Sequence, residues 1–86
     1  MKEIFIDVHV CRREAERLRK TADDMHNIRS RLTALAGMTA EAWQGVAANA
    51  LLDSQEYTLK EFAMLITLVE EAAENIDRVV TAYEQE

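Results

Sequence analysis

The segment GMTAEAWQGVAANA, residues 37–50, holds both glycines and the only tryptophan of this 86-residue chain. Regularly spaced apolar residues lie on either side of it, so we expect two helices that join at this segment. Gly37 suits the left-handed residue just after a helix, and Thr39 suits the N-cap of the next helix. The segment therefore predicts a turn over about residues 37–45.

Before this turn, apolar residues recur at alternating steps of three and four, which is the spacing of one face of a helix. They predict a first helix over about residues 8–36, with Asp7 as its N-cap. The face consists of Val8, Cys11, Ala15, Leu18, Ala22, Met25, Leu32 and Ala36, and Arg29 interrupts it.

After the turn, a second series predicts a helix over about residues 40–84. Its inner face is expected to contain Thr58, Phe62, Leu65, Val69, Ala72, Ile76, Val79 and Tyr83. Because the connection is short, the helices are expected to pack as an antiparallel hairpin. A second apolar line beside this face contains Leu52, Leu59, Ala63 and Ile66. In an isolated hairpin that line would meet water, so it predicts the face that binds a partner.

The composition favours an all-α single domain over residues 1–86. The chain has no proline and only 6% aromatic residues. A domain this small buries little apolar surface, and its single cysteine cannot form an internal disulfide. We therefore expect two hairpins to dimerise into a four-helix bundle. The net charge is +2 over residues 1–36 and −8 over residues 37–86, which sum to −6, so the two helices attract each other.

Charge and motifs disfavour nucleic-acid binding, a membrane span and catalysis. A net charge of −6 opposes phosphate contacts, and charged residues interrupt every apolar stretch. Asp23 and His26 have the spacing of one di-iron ligand pair, but the sequence lacks the second pair that such sites need. His9 and Cys11 likewise have no second pair. We predict no metal, no cofactor and no enzymatic activity.

The stretch AWQGVAA, residues 42–48, lies at the predicted turn between two amphipathic helices, and an Ile-x-Ile-Asp opening occupies residues 4–7. Over nearly its whole length the chain resembles the Trp-x-Gly (WXG) family of small type VII secretion proteins, the ESAT-like hairpins. The resemblance implies a hairpin that dimerises into a four-helix bundle and is recognised, folded, by the membrane ATPase of a bacterial export machine. Trp43 and Gly45 would form the turn and export motif.

The resemblance also implies a C-terminal Tyr-x-x-x-Asp/Glu export element. Here Glu86 follows Tyr83 by three residues rather than four. Three explanations stay open: the signal is degenerate, the natural chain is longer, or a partner carries the signal. Trp43 and Tyr83 are forty residues apart, so they meet only if an antiparallel partner brings them together. The alternative role for Trp43 is to close the hairpin against Met38.

The resemblance predicts a secreted substrate or co-secreted partner of a type VII (ESX-like) system that acts through protein contacts. It would be exported without a cleaved signal peptide, from a cytoplasmic pool. One alternative is a cytosolic targeting adaptor or chaperone that pairs with the helical N-terminal domain of a larger exported toxin. Another is a plain dimerising coiled-coil scaffold. Whether the partner is a second copy or a related hairpin is also open.

Overall fold

The computed structural model describes residues 5–42 and 45–85, and for residues 46–48 it describes the backbone alone. Two helices make up most of this part of the chain: α1 spans Val8–Ala42 and α2 spans Val46–Glu84. They pack antiparallel, with an ion pair between Arg12 and Glu84 at the open end. The hairpin is a rod of 68 × 16 × 14 Å. The predicted all-α helical hairpin is confirmed.

Asp7 caps the start of α1, as the sequence predicts. Its carboxylate accepts a hydrogen bond from the Val10 backbone N–H, with 3.1 Å between Oδ1 and N. Its carbonyl accepts the first helical hydrogen bond, from the Cys11 N–H at 3.0 Å. These bonds satisfy amide groups that a helix otherwise leaves without partners in its first turn.

The predicted helix ends at the turn are wrong. α1 continues to Ala42 instead of ending near residue 36, and α2 begins at Val46 instead of near residue 40. Gly37 and Thr39 lie inside α1, where the Thr39 hydroxyl donates to the Leu35 carbonyl at 3.0 Å. A glycine inside a helix costs only about 1 kcal/mol relative to alanine, and no proline follows to stop the helix. The connection therefore lies between Ala42 and Val46.

The face of α1 that packs against α2 is the predicted one. Ala15 and Ala22 are buried, and the other members of the predicted series are half-buried. Arg29, which interrupts the series, is exposed. Spacing identified this face because most other positions of α1 are polar or charged.

The packed face of α2 overlaps the predicted face but is turned about the helix axis by about 50°, half the step between successive residues. Ile66, Ala73 and Val80 are at most 2% exposed, whereas the predicted inner residues Leu65 and Val79 are 51% and 56% exposed. Successive helix residues point about 100° apart, so each exposed residue and the buried residue that follows it lie on different sides of α2. Four half-buried residues belong to both assignments: Phe62, Val69, Ile76 and Tyr83.

Ion pairs between the helices favour the observed rotation of α2. Successive pairs are seven residues apart on each helix: Arg12–Glu84, Arg19–Asp77 and His26–Glu70. We call this side of the hairpin the ion-pair flank. Turning Leu65 inward would carry the three acidic residues away from α1. A surface ion pair contributes only about 0.2–1 kcal/mol, and His26 is charged only when it is protonated, but all three contacts favour the same rotation.

Candidate protein-binding site

The Trp-x-Gly motif follows the last residue of α1 in the sequence and precedes the first residue of α2. Trp43 and Gln44 lie outside the described residues. Gly45 has φ 96° and ψ −170° and precedes α2 as its N-cap, without a side-chain hydrogen bond. Its carbonyl accepts a hydrogen bond from the Asn49 N–H at 3.1 Å. Such backbone angles are essentially restricted to glycine, so the motif glycine sits where the chain reverses direction.

The predicted partner face is not an open surface. Ile66 is 2% exposed, and Leu52, Leu59 and Ala63 are half-buried. Leu52, Leu59 and Ile66 are seven residues apart and lie on the side of α2 that packs against α1. These side chains pack inside the hairpin, so they do not form the surface that binds a partner.

An apolar face is open on the side opposite the ion-pair flank. The five large side chains in it are 45–59% exposed. Single exposed leucines are ordinary on protein surfaces, but these recur every three, four or seven residues along both helices. We define the apolar face by Ile28 and Leu35 of α1 and by Leu65, Leu68, Ala72 and Val79 of α2. The sequence analysis found three of these residues but placed them inside the hairpin.

The position of the apolar face follows from the helical spacing. Leu65 and Val79 each precede a buried residue, Ile66 and Val80, by one position. The acidic residues of the ion-pair flank follow the buried positions by four; Glu70, for example, follows Ile66. On a helix, the residue one position before an inward residue and the residue four positions after it lie on opposite sides of that inward residue. The apolar face and the ion-pair flank are therefore on opposite sides of the hairpin.

A cleft of about 100 Å³ opens on the apolar face, toward the turn. Gln55, on the inward side of α2, has a buried Oε1 atom that no described group pairs by a hydrogen bond. A buried acceptor left without a donor costs about 1–3 kcal/mol. No sequence pattern indicates this cleft, because its two walls come from different helices. The lining residues are Leu32, Leu35, Ser54, Gln55, Thr58 and Leu59.

The candidate metal residues do not converge in the described part of the chain. No group of three or more His, Cys, Asp or Glu side chains there is arranged to hold a metal ion. Asp23, His26 and His9 are exposed, and Cys11 is half-buried. No helix in that part is long and apolar enough to cross a membrane.

Arg19 is the centre of the ion-pair flank. Its hydrogen bond to Asp77 raises the pKa of the Arg19 guanidinium, and the negative charges of Asp77 and Glu16 act in the same direction. An arginine is already protonated at physiological pH, so the raised pKa reflects a structural contact with Asp77 and creates no acid or base for proton transfer.

The C-terminal residues implicated in export lie along the hairpin. Tyr83 is half-buried on the inward side of α2, and Glu84 pairs with Arg12 across the open end. α2 ends at Glu84. Glu86 lies outside the described residues. The described part of the tail is thus packed on α1.

A helical rod that keeps an apolar face open has the kind of surface that marks protein-interaction sites. The model of the family described as WXG100, proteins of 100 residues with WXG, matches residues 3–86. The chain belongs to the WXG100 family, which confirms the WXG resemblance. It is therefore a small type VII secretion-associated protein. No curated protein and no solved structure matches the chain.

Proposed function

We propose that the chain is a secreted substrate or co-secreted partner of a bacterial type VII (ESX-like) secretion system and acts through protein contacts, without catalysis. It is exported folded, from a cytoplasmic pool and without a cleaved signal peptide. The observation that carries the proposal is the open apolar face on a member of a type VII secretion family.

The apolar face is the surface through which the hairpin pairs with a second helical hairpin, giving a four-helix bundle. The chain has 6752 Å² of accessible surface, whereas a compact monomer of 9.8 kDa averages about 5,200 Å². A standard interface covers about 800 Å² on each partner. The excess surface is large enough for such an interface.

Trp43 and Gly45 form the surface that the export ATPase recognises, together with the C-terminal tail of the partner. The connection lies at one end of a 68 Å rod, and the open end with Glu84 lies at the other. Antiparallel pairing of two hairpins brings the connection of one beside the tail of the other. The export site would then be complete only in the pair.

Export is tested by immunoblotting culture supernatants from strains with and without the export ATPase. Wild-type protein should be found outside the cells only when the ATPase is present. A Leu65→Lys, Leu68→Lys variant should lose both pairing and export, because it puts two charges on the apolar face. Thr67→Lys alters an exposed residue between them and should behave as wild type. ATPase-independent release, or export of the double variant as a monomer, contradicts the proposal.

The second candidate is a cytosolic targeting adaptor for a larger exported toxin. Two contacts favour the adaptor: Tyr83 is half-buried, and Glu84 pairs with Arg12. Both hold the C-terminal tail, which contains the residues implicated in export, against α1. Cell fractionation distinguishes the two functions. An adaptor stays in the cytosol while the toxin with which it pairs is found outside, whereas a substrate or co-secreted partner leaves the cell.

A further inference from the structure

Tyr57 and Met64 are large apolar side chains on the outside of α2. They are 66% and 61% exposed. Each comes two positions before a residue on the side of α2 that packs against α1, Leu59 or Ile66. Two positions turn an α-helix by about 200°, so Tyr57 and Met64 point nearly straight away from α1. The hairpin therefore does not use them for its own packing.

The outside of α1 is polar at the corresponding positions. Ala15 and Ala22 are buried residues of α1, and the residues two positions before them, Arg13 and Lys20, are exposed. Polar side chains are ordinary on the outer side of a surface helix. The large apolar residues on the outside are thus a property of α2 and not of both helices.

Tyr57 and Met64 are also separate from the apolar face. Leu65 of that face precedes the buried Ile66 by one position, whereas Met64 precedes it by two. Met64 therefore points about 100° further around α2 than Leu65 does. A hairpin that covers the apolar face leaves the outside of α2 open, so Tyr57 and Met64 belong to a second surface.

Acidic residues surround Tyr57 and Met64. Residues 53–74 contain six acidic residues and one basic residue, Lys60. Three of the six form ion pairs, with Lys60, His26 and Arg78. The other three are exposed and form no ion pair with any residue that the structure describes: Asp53, Glu61 and Glu71. This part of α2 therefore keeps a negative charge that the hairpin does not compensate.

The three carboxylates lie along the same outer side of α2. Asp53 and Glu61 are four residues before and after Tyr57, and Glu71 is seven residues after Met64. Residues four or seven apart lie on one side of a helix. We call these five residues the outer row of α2. At about 1.5 Å per residue, the row is about 27 Å long from Asp53 to Glu71.

We propose that the outer row binds an amphipathic helix of another protein, one with lysine or arginine beside an apolar stripe. Tyr57 and Met64 are seven residues apart. A helix that lies along α2 repeats its own side chains at the same interval, so its stripe meets both residues. Its cations then lie near the three carboxylates of the row. The same carboxylates repel an acidic helix or an anionic membrane.

This site goes beyond the proposed function. It needs no pairing of hairpins through the apolar face, and it contains neither Trp43 nor the C-terminal tail. Binding at the outer row and export of the chain can therefore be measured separately.

A synthetic helix tests the chemistry of this partner. The probe is a peptide of about 21 residues, three heptads, with leucines along one face, lysines beside them and alanines elsewhere. A second peptide has glutamate in place of every lysine. Isothermal titration calorimetry should show that the wild-type chain binds the lysine peptide and not the glutamate peptide.

A charge reversal tests the role of the carboxylates. A Glu61→Lys, Glu71→Lys variant should prefer the glutamate peptide, because the row then attracts the opposite charge. Absence of wild-type binding at about 1 mM lysine peptide overturns the proposal, as does an unchanged preference in the variant.

Matched substitutions locate the binding site. Tyr57→Gln, Met64→Gln removes both apolar side chains of the row and should weaken binding of the lysine peptide about tenfold or more. Ile28→Gln, Val79→Gln makes the same change on the apolar face and should leave binding unchanged. Far-UV circular dichroism checks that both variants remain helical. Unweakened binding by the outer-row variant overturns the proposal, and so does loss of binding in the apolar-face variant alone.

Self-association distinguishes a foreign helix from further copies of this chain, whose α1 is basic on its outside at Arg13 and Lys20. Sedimentation velocity of the wild type alone should show no species larger than a pair of hairpins. Larger assemblies that the Tyr57→Gln, Met64→Gln variant abolishes would assign the row to copies of this chain and overturn the proposal. An exported chain that does not bind the lysine peptide overturns this inference and leaves the proposed function standing, whereas a chain that binds it but is not exported contradicts only the proposed function.

Discussion

The two glycines of the chain should respond to alanine substitution with opposite signs. Gly37 lies inside α1, and Gly45 ends the connection with a φ of 96°. A Cβ added at either position meets no heavy atom within 4 Å. Crowding therefore contributes to neither substitution, and the backbone conformation decides both outcomes.

Gly37→Ala should raise the free energy of unfolding by about 0.5–1 kcal/mol, because alanine loses less backbone entropy in a helix. Gly45→Ala should lower it by about 1–3 kcal/mol, because φ 96° and ψ −170° lie in a region that alanine essentially avoids. For a domain of this length, each kcal/mol moves the melting temperature by about 4–8 °C.

Urea and thermal unfolding, followed by far-UV circular dichroism, measure both effects. All variants must be compared at one protein concentration, because dimerisation makes the midpoint concentration-dependent. The double variant should show the sum of the two changes within about 0.5 kcal/mol, if the sites are independent. Destabilisation by Gly37→Ala together with a neutral Gly45→Ala would refute the reasoning, because the chain would then reverse at Gly37 as the sequence predicts.

The remaining predictions concern the cap, the core and the connection. Asp7→Ala should lower the free energy of unfolding by about 1 kcal/mol in urea titrations, since the Val10 N–H loses its acceptor; an unchanged midpoint contradicts the observed cap. Ile66→Ala should cost about 2–4 kcal/mol in dilute solution and Leu65→Ala less than about 1 kcal/mol, because only Ile66 is buried; the reverse order would restore the sequence-predicted inner face. Trp43→Ala should preserve helicity and dimerisation but abolish export, as circular dichroism, sedimentation and supernatant blotting can show; unfolding with export of the folded remainder would make Trp43 a structural residue.

Helix α1 was predictable from local chemistry. Its apolar residues fall on one side, and an aspartate whose carboxylate can cap the helix precedes them, so spacing and capping give the same answer as packing. The position of the Trp-x-Gly motif between two helices was also predictable, because the tripeptide lies between two segments with helical apolar spacing. Its glycine is the residue at which the backbone requires a positive φ.

The partner face was not predictable in the same way. α2 carries apolar residues on two adjacent sides, one through Ile66 and one through Leu65. Helical periodicity cannot distinguish which line packs against α1, because both lines share the same four residues: Phe62, Val69, Ile76 and Tyr83. The sequence analysis therefore exchanged the inner line and the open line of α2. The cleft at Gln55 depends on that choice, so it was missed as well.

The amino-acid sequence alone determined the two-helix architecture, the Asp7 cap, the inner face of α1 and membership of the Trp-x-Gly class, because each depends on residues close together along the chain. Only the tertiary structure decided the rotation of α2 and the site of chain reversal. The rotation depends on Arg12, Arg19 and His26 lying beside acidic residues 44–72 positions away in sequence. The reversal comes after Ala42 because the helix penalty of Gly37 is small and no proline follows it.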